Sequence, residues 1–146
     1  MGASRGMRVL ACLVAVLFAQ GVLASGDPDC DIRHQKSDPV STKATVMVGE
    51  RFSVCLTANP STGYSWAMPF GMSNGLERLV YLGTSYRPGA AEAQGLVGVP
   101  GTSIFHFAAA RPGMVSLAMT YLRPWLWHEA PAESTMIEIT IMSKPE

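Results

Sequence analysis

The segment Asn59-Pro60-Ser61-Thr62-Gly63-Tyr64-Ser65-Trp66 holds the residues of this chain best suited to recognising another molecule. Pro60 fixes one φ, Gly63 permits a left-handed backbone, and the small hydroxyls of Ser61 and Thr62 bond locally. Such a turn is stiff before it meets anything, so little entropy is lost when a partner closes on it. The chemistry on offer is binding by a preformed loop rather than bond-making. A tight connection with no partner fits the same composition.

Residues that would make or break bonds are sparse. There are three histidines, His34, His106 and His128, and no GxSxG, HExxH or Gly-rich phosphate loop. A Cys–His hydrolase needs Cys55 free beside a histidine, yet Cys55 sits in a strand pattern and has a partner available in Cys30. His106, between Phe105 and Phe107, reads as a strand residue on the opposite face. His34 lies in a polar N-terminal segment and reads as solvated. No enzyme, no cofactor and no metal is expected, since Cys30 and Cys55 without a CxxC support no structural zinc site.

These residues belong to a chain of 146 residues, enough for one ordinary domain. Its first stretch is set apart. Arg5 and Arg8 precede an apolar run from Val9 to Phe18, followed by small residues at Ala24, Ser25 and Gly26. That order is the layout of a secretory signal peptide, with cleavage expected near Ala24 or Ser25. The expected division is a signal peptide over residues 1–25 and a single domain over residues 26–146. Read instead as a membrane anchor, the stretch from Val9 to Leu23 is short of about 20 apolar residues and is interrupted by Gln20 and Gly21. Asp27, Pro28 and Asp29 before Cys30 argue against a lipid anchor. The exported product is expected to be secreted, periplasmic or lumenal, monomeric, and free of the membrane once the signal is removed. The whole chain has zero formal net charge, and loss of Arg5 and Arg8 leaves the domain slightly acidic. No basic stripe remains to neutralise phosphates, so nucleic acid is not an expected partner.

Of the three cysteines, Cys12 lies in the signal. An oxidising destination lets Cys30 and Cys55 pair in one way only, with two free thiols as the alternative. A bridge would close a loop of about 25 residues and add on the order of 3 kcal/mol by restricting the unfolded chain.

The rest reads as short strands punctuated by Gly, Pro and Asn. Residues 44–48 are short and β-branched. Over residues 51–57, Phe52, Val54 and Leu56 alternate with Ser53, Cys55 and Thr57, the pattern of a half-buried strand with one apolar face. Strands are also expected over residues 64–68, with Trp66 in the core, and over 79–82, 103–109, 114–121 and 136–142. Residues 83–100 read as the longest loop, with room for a helical turn near Ala90 to Gln94. Arg111-Pro112-Gly113 is a turn. About seven short strands and no helix-length amphipathic pattern predict an all-β domain, a two-sheet sandwich rather than a barrel.

Three motifs, in order, are similar to those of the chagasin family, inhibitors of papain-like cysteine proteases. Asn59-Pro60-Ser61-Thr62-Gly63-Tyr64 resembles the family's NPTTGY loop, with Ser61 in place of Thr. Gly98-Val99-Pro100-Gly101 falls where the family has GxGG, and Arg123-Pro124-Trp125 reproduces its RPW motif. The resemblance spans roughly residues 40–142. It implies an immunoglobulin-like sandwich with three loops clustered at one end, which fill the active-site cleft of a papain-like protease.

By that resemblance, residues 59–64 form the central loop, with Thr62 and its neighbours nearest the catalytic cysteine and histidine. Residues 98–101 lie along the non-primed side, and Trp125 packs on the primed side, with Arg123 and Pro124 shaping its loop. Pro100 departs from the family's glycine by removing one N–H and fixing one φ, which stiffens the loop and limits main-chain pairing. Leu126-Trp127-His128 adds a second Trp, either a further contact or a partly exposed residue. Inhibition by occlusion needs no scissile bond and no covalent step. A secreted immunoglobulin-like module that binds a glycan or another surface protein is the alternative, because this architecture hosts many functions.

Overall fold

Ile137, Ile139 and Ile141 alternate with polar or flexible residues, and all three turn into the protein interior, where they are buried. The computed structural model describes residues 30–34, 41–69 and 71–146. The expected signal segment, residues 1–25, lies outside the described residues. The strands run in order as β1 (Ile32–His34), β2 (Ser41–Met47), β3 (Arg51–Ala58), β4 (Ser65–Ala67), β5 (Leu79–Arg87), β6 (Gly101–Ala109), β7 (Gly113–Leu122) and β8 (Glu133–Met142). One short helix, α1 (Ala90–Ala93), interrupts the connection from β5 to β6.

Two four-stranded sheets result, ordered β1-β3-β6-β5 and β2-β8-β7-β4. Pairing is antiparallel except where β1 joins β3 and β2 joins β8. Phe52, Leu56 and Phe107 of one sheet and Leu117, Met119 and Ile139 of the other belong to one core between them. This is the expected all-β immunoglobulin-like sandwich, and Trp66 is in its core.

Strand register decides where the loops emerge. Ala58 stands opposite Gly101 and Arg87 opposite Thr102 in one sheet. Ser65 stands opposite Leu122 and Tyr121 opposite Glu133 in the other. Residues 59–64, 88–100 and 123–132 therefore leave the sandwich at the same end.

Four local expectations need correction. β5 runs on through Gly83 to Arg87, so the first part of the expected long loop is strand. A register shift between Tyr81 and Gly83 absorbs the irregularity, and Gly83 takes a φ of 125° that suits glycine. The helical turn after it is present as α1. β3 is buried on both faces, because Asp31 accepts hydrogen bonds from the Ser53 N–H (2.8 Å) and Oγ (3.0 Å), and Cys55 is bonded to Cys30. Strand β1 was not anticipated. Its His34 is buried rather than solvated, with Nδ1 2.9 Å from Thr42 Oγ1 in the opposite sheet. His106 does face away from the core, hydrogen-bonded through Nε2 to Ser85 Oγ at 2.9 Å.

Candidate functional site

The loop after β3 is built from its own side chains. Asn59 is non-helical, with φ −130° and ψ 89°, and Pro60-Ser61-Thr62 make a single 3-10 turn whose first position suits proline, since no N–H is wanted there. Gly63, at φ 80°, closes the turn by donating its N–H to the Pro60 carbonyl at 3.0 Å. Thr62 Oγ1 donates to the Asn59 carbonyl at 2.6 Å, and Ser61 Oγ donates to Asn59 Oδ1 at 2.5 Å. The hydroxyls are thus spent on the loop's own shape, while Pro60, Ser61 and Thr62 stay exposed.

Two neighbouring loops are tied to this one. The Asn59 side-chain amide donates to the Gly98 carbonyl at 2.9 Å. Arg123 Nε donates to the Thr62 carbonyl at 3.3 Å, and its guanidinium lies over the Tyr64 ring, 4.6 Å from the centroid. The backbone of Gly63 lies against the Trp125 indole, where a Cβ would stand 2.5 Å from Cη2. Beneath them Tyr121 accepts the Asn59 N–H at 2.8 Å and packs between Tyr64 and Trp66, with centroids 5.3 and 5.0 Å away. Trp66 Nε1 donates to the Thr57 carbonyl at 2.9 Å, which fixes the base of this aromatic stack.

The loop from β5 to β6 is closed at its neck. A Cβ on Gly89 would sit 2.3 Å from the Pro100 carbonyl, and one on Gly101 would sit 2.3 Å from the Tyr86 hydroxyl. Tyr86 of β5 donates to Glu92 of α1 at 3.0 Å. Partial burial, with Glu92 accepting that hydrogen bond and placing negative charge nearby, holds the Tyr86 phenol above its ordinary value. Beyond α1 the chain presents Leu96 and Val97 to solvent, Val97 almost completely.

The third loop makes a 3-10 turn over Pro124–Leu126, with Leu126 N–H on the Arg123 carbonyl at 2.9 Å. Ala132 N–H closes the base on the Tyr121 carbonyl at 2.8 Å. Trp125 and Trp127 remain 63% and 81% exposed, an arrangement that invites burial by a partner. Bond-making chemistry has no such support, because Cys55 is held in the disulfide with Cys30. Among the described residues no three His, Cys, Asp or Glu side chains are grouped to hold a metal, and no helix is long and apolar enough to cross a membrane.

Comparison with known proteins gives this loop cluster a context. The model of the Chagasin family peptidase inhibitor I42 matches residues 45–141. The chain belongs to the chagasin family. Chagasin of Trypanosoma cruzi is 33% identical over 82 residues, covering 56% of this chain and 72% of the relative. Amoebiasin-1 of Entamoeba histolytica is 30% identical over 90 residues, covering 60% and 79%. Among solved structures, the cysteine protease inhibitor EhICP2 from Entamoeba histolytica superposes with a TM-score of 0.58 at 18% identity, over 76% of this chain and 95% of that one. PbICP-C, solved in complex with falcipain-2, superposes with a TM-score of 0.53 at 16% identity, over 78% and 92%. At these identities the structural likeness concerns the fold. Membership of the chagasin family places the chain among peptidase inhibitors rather than enzymes.

All three motifs that suggested the chagasin family emerge at one end of the sandwich, and Asn59, Gly98, Thr62 and Arg123 link them directly. Tyr121 and the exposed pair Leu96–Val97 were not picked out from sequence. A tyrosine two residues before Arg123 was the available clue to the first, and the solvent-facing apolar pair before Gly98 to the second.

Proposed function

We propose that the chain is a reversible, non-covalent inhibitor of papain-like cysteine proteases that occludes the active-site cleft with its three linked loops. The observation that carries this reading is the mutual bracing of the loops, Asn59 to Gly98 and Arg123 to Thr62. Chagasin-family membership and a structural neighbour solved with falcipain-2 support the choice of target class.

In this reading Asn59, Pro60, Ser61, Thr62, Gly63 and Tyr64 enter the cleft centrally, with Thr62 nearest the catalytic cysteine and histidine. Gly98, Val99, Pro100 and Gly101 line one side, and Arg123, Pro124 and Trp125 the other. A protease cleaves extended chain, whereas Pro60–Thr62 form a 3-10 turn whose carbonyls at Asn59 and Pro60 are already hydrogen-bonded within the loop. The loop thus fills the cleft without offering a scissile geometry. Trp125 supplies a large area with few torsions to freeze, a property of residues that dominate interface energies. Association would bury about 1,600 Å² in total, the standard size for protease–inhibitor pairs.

The same reading includes export by the segment over residues 1–25 and action as a monomeric domain over residues 26–146. The Cys30–Cys55 disulfide supports an oxidising destination. N-terminal sequencing of exported protein tests the cleavage near Ser25. The inhibitory reading is tested by alkylation: bound protein should shield the active-site thiol of papain and release it, fully active, on dissociation. A thiol alkylated at the free-enzyme rate in the presence of saturating protein would refute it.

A further inference from the structure

The most exposed aromatic among the described residues is Trp127, at 81%. It stands two residues after Trp125, and the two rings have different surroundings. Trp125 leans on the Gly63 backbone, whereas Trp127 meets only His128 edge-on among the ring contacts, at 6.0 Å. In a 3-10 geometry of three residues per turn, side chains two apart diverge by roughly 120°, so Trp127 projects away from the loop that Trp125 braces. Its backbone is nevertheless held. Trp127 has helical φ and ψ of −58° and −19°, Leu126 N–H bonds to the Arg123 carbonyl, and Glu129 N–H bonds to the Leu126 carbonyl, both at 2.9 Å. A bulky apolar ring on a preordered backbone loses little freedom when covered.

We infer that Trp127 is a second aromatic anchor that rests on an apolar shelf of the target protease beside the cleft, outward of Trp125, and selects among papain-like proteases. The inference rests on the inhibitory reading above. The cleft is shared by the whole protease class, so loops that enter it discriminate weakly. Surface beyond the cleft differs between enzymes, and a contact made there separates one target from another. Trp127 is placed to make it.

The test measures inhibition constants of the wild type, Trp127→Ala, Trp127→Phe and Trp125→Ala against a panel of papain-like proteases. Trp127→Ala should weaken inhibition of some enzymes about tenfold or more and leave others within about twofold, with Trp127→Phe recovering part of the loss. Trp125→Ala should weaken all of them. A wild type that inhibits while Trp127→Ala matches it within twofold on every enzyme overturns the inference and leaves the inhibitory reading intact. A wild type that inhibits none overturns both. A second readout uses fluorotryptophan-labelled protein: the Trp127 fluorine resonance should shift on binding an enzyme that discriminates. Movement of the Trp125 resonance alone with every inhibited enzyme would overturn the assignment.

Discussion

The backbone of Gly63 and the indole of Trp125 are in direct contact, so close that a Cβ on Gly63 would stand 2.5 Å from the ring. Gly63 also has a φ of 80°, which disfavours any residue with a side chain. One glycine thereby joins two loops that are about 60 residues apart in sequence. Gly63→Ala must disturb both the turn and the seat of Trp125. Inhibition should weaken about tenfold, equivalent to about 1.4 kcal/mol. The midpoint of thermal unfolding should fall by a few degrees, because a side chain at this φ costs about 1–2 kcal/mol. A variant that inhibits like the wild type would show that this contact does not matter to binding.

Trp125 itself is the expected dominant anchor. Trp125→Ala should cost about 2 kcal/mol or more in binding, measured as the inhibition constant of a protein that retains its circular dichroism.

Arg123 holds the central loop through a guanidinium set over the Tyr64 ring and one hydrogen bond to Thr62. A lysine keeps the charge and loses the plane and the fork. Arg123→Lys should therefore fall between the wild type and Arg123→Ala, the latter weakening inhibition by about 1 kcal/mol. Amide exchange at Gly63 should quicken in the same order. Equal inhibition by the lysine variant and the wild type would assign Arg123 a purely electrostatic part.

The Cys30–Cys55 disulfide ties the chain just before β1 to the middle of β3, below the end from which the loops leave. Paired replacement by serine should lower unfolding stability by about 3 kcal/mol while inhibition by the folded fraction persists. Denaturant titration with and without reductant gives the first quantity, and a parallel inhibition assay gives the second.

Tyr86 predicts alkaline behaviour. Its phenol is held above the ordinary value of about 10, so in the unfolded chain it ionises first. Unfolding then releases a proton between the ordinary and the raised value, and stability falls as pH rises through that window. Tyr86→Phe should abolish this part of the slope in denaturant titrations run from neutral to strongly alkaline pH. An unchanged slope would remove Tyr86 as its source.

Much of the sandwich was legible because burial imposes a period of two, as Ile137, Ile139 and Ile141 illustrate. The three loop motifs were equally legible, since Pro60, Gly63 and Trp125 have strong local meaning. What escaped depended on distant partners. His34 reads as solvated until Thr42 and Thr135 arrive from the other sheet to bury it. Ser53 and Cys55 read as an outer face until Asp31 and Cys30 cover them. Gly83 reads as the end of a strand, yet the bulge before it lets pairing resume. Tyr121 looks like an ordinary strand aromatic, and only the register placing it beneath Asn59 reveals its part in supporting the loops.

The most direct test of the central claim titrates the purified protein against papain and a cathepsin L-type enzyme, with trypsin as the control. The account predicts tight, reversible loss of papain-like activity at near-stoichiometric protein and no effect on trypsin. Folded protein that leaves every papain-like enzyme fully active would contradict it.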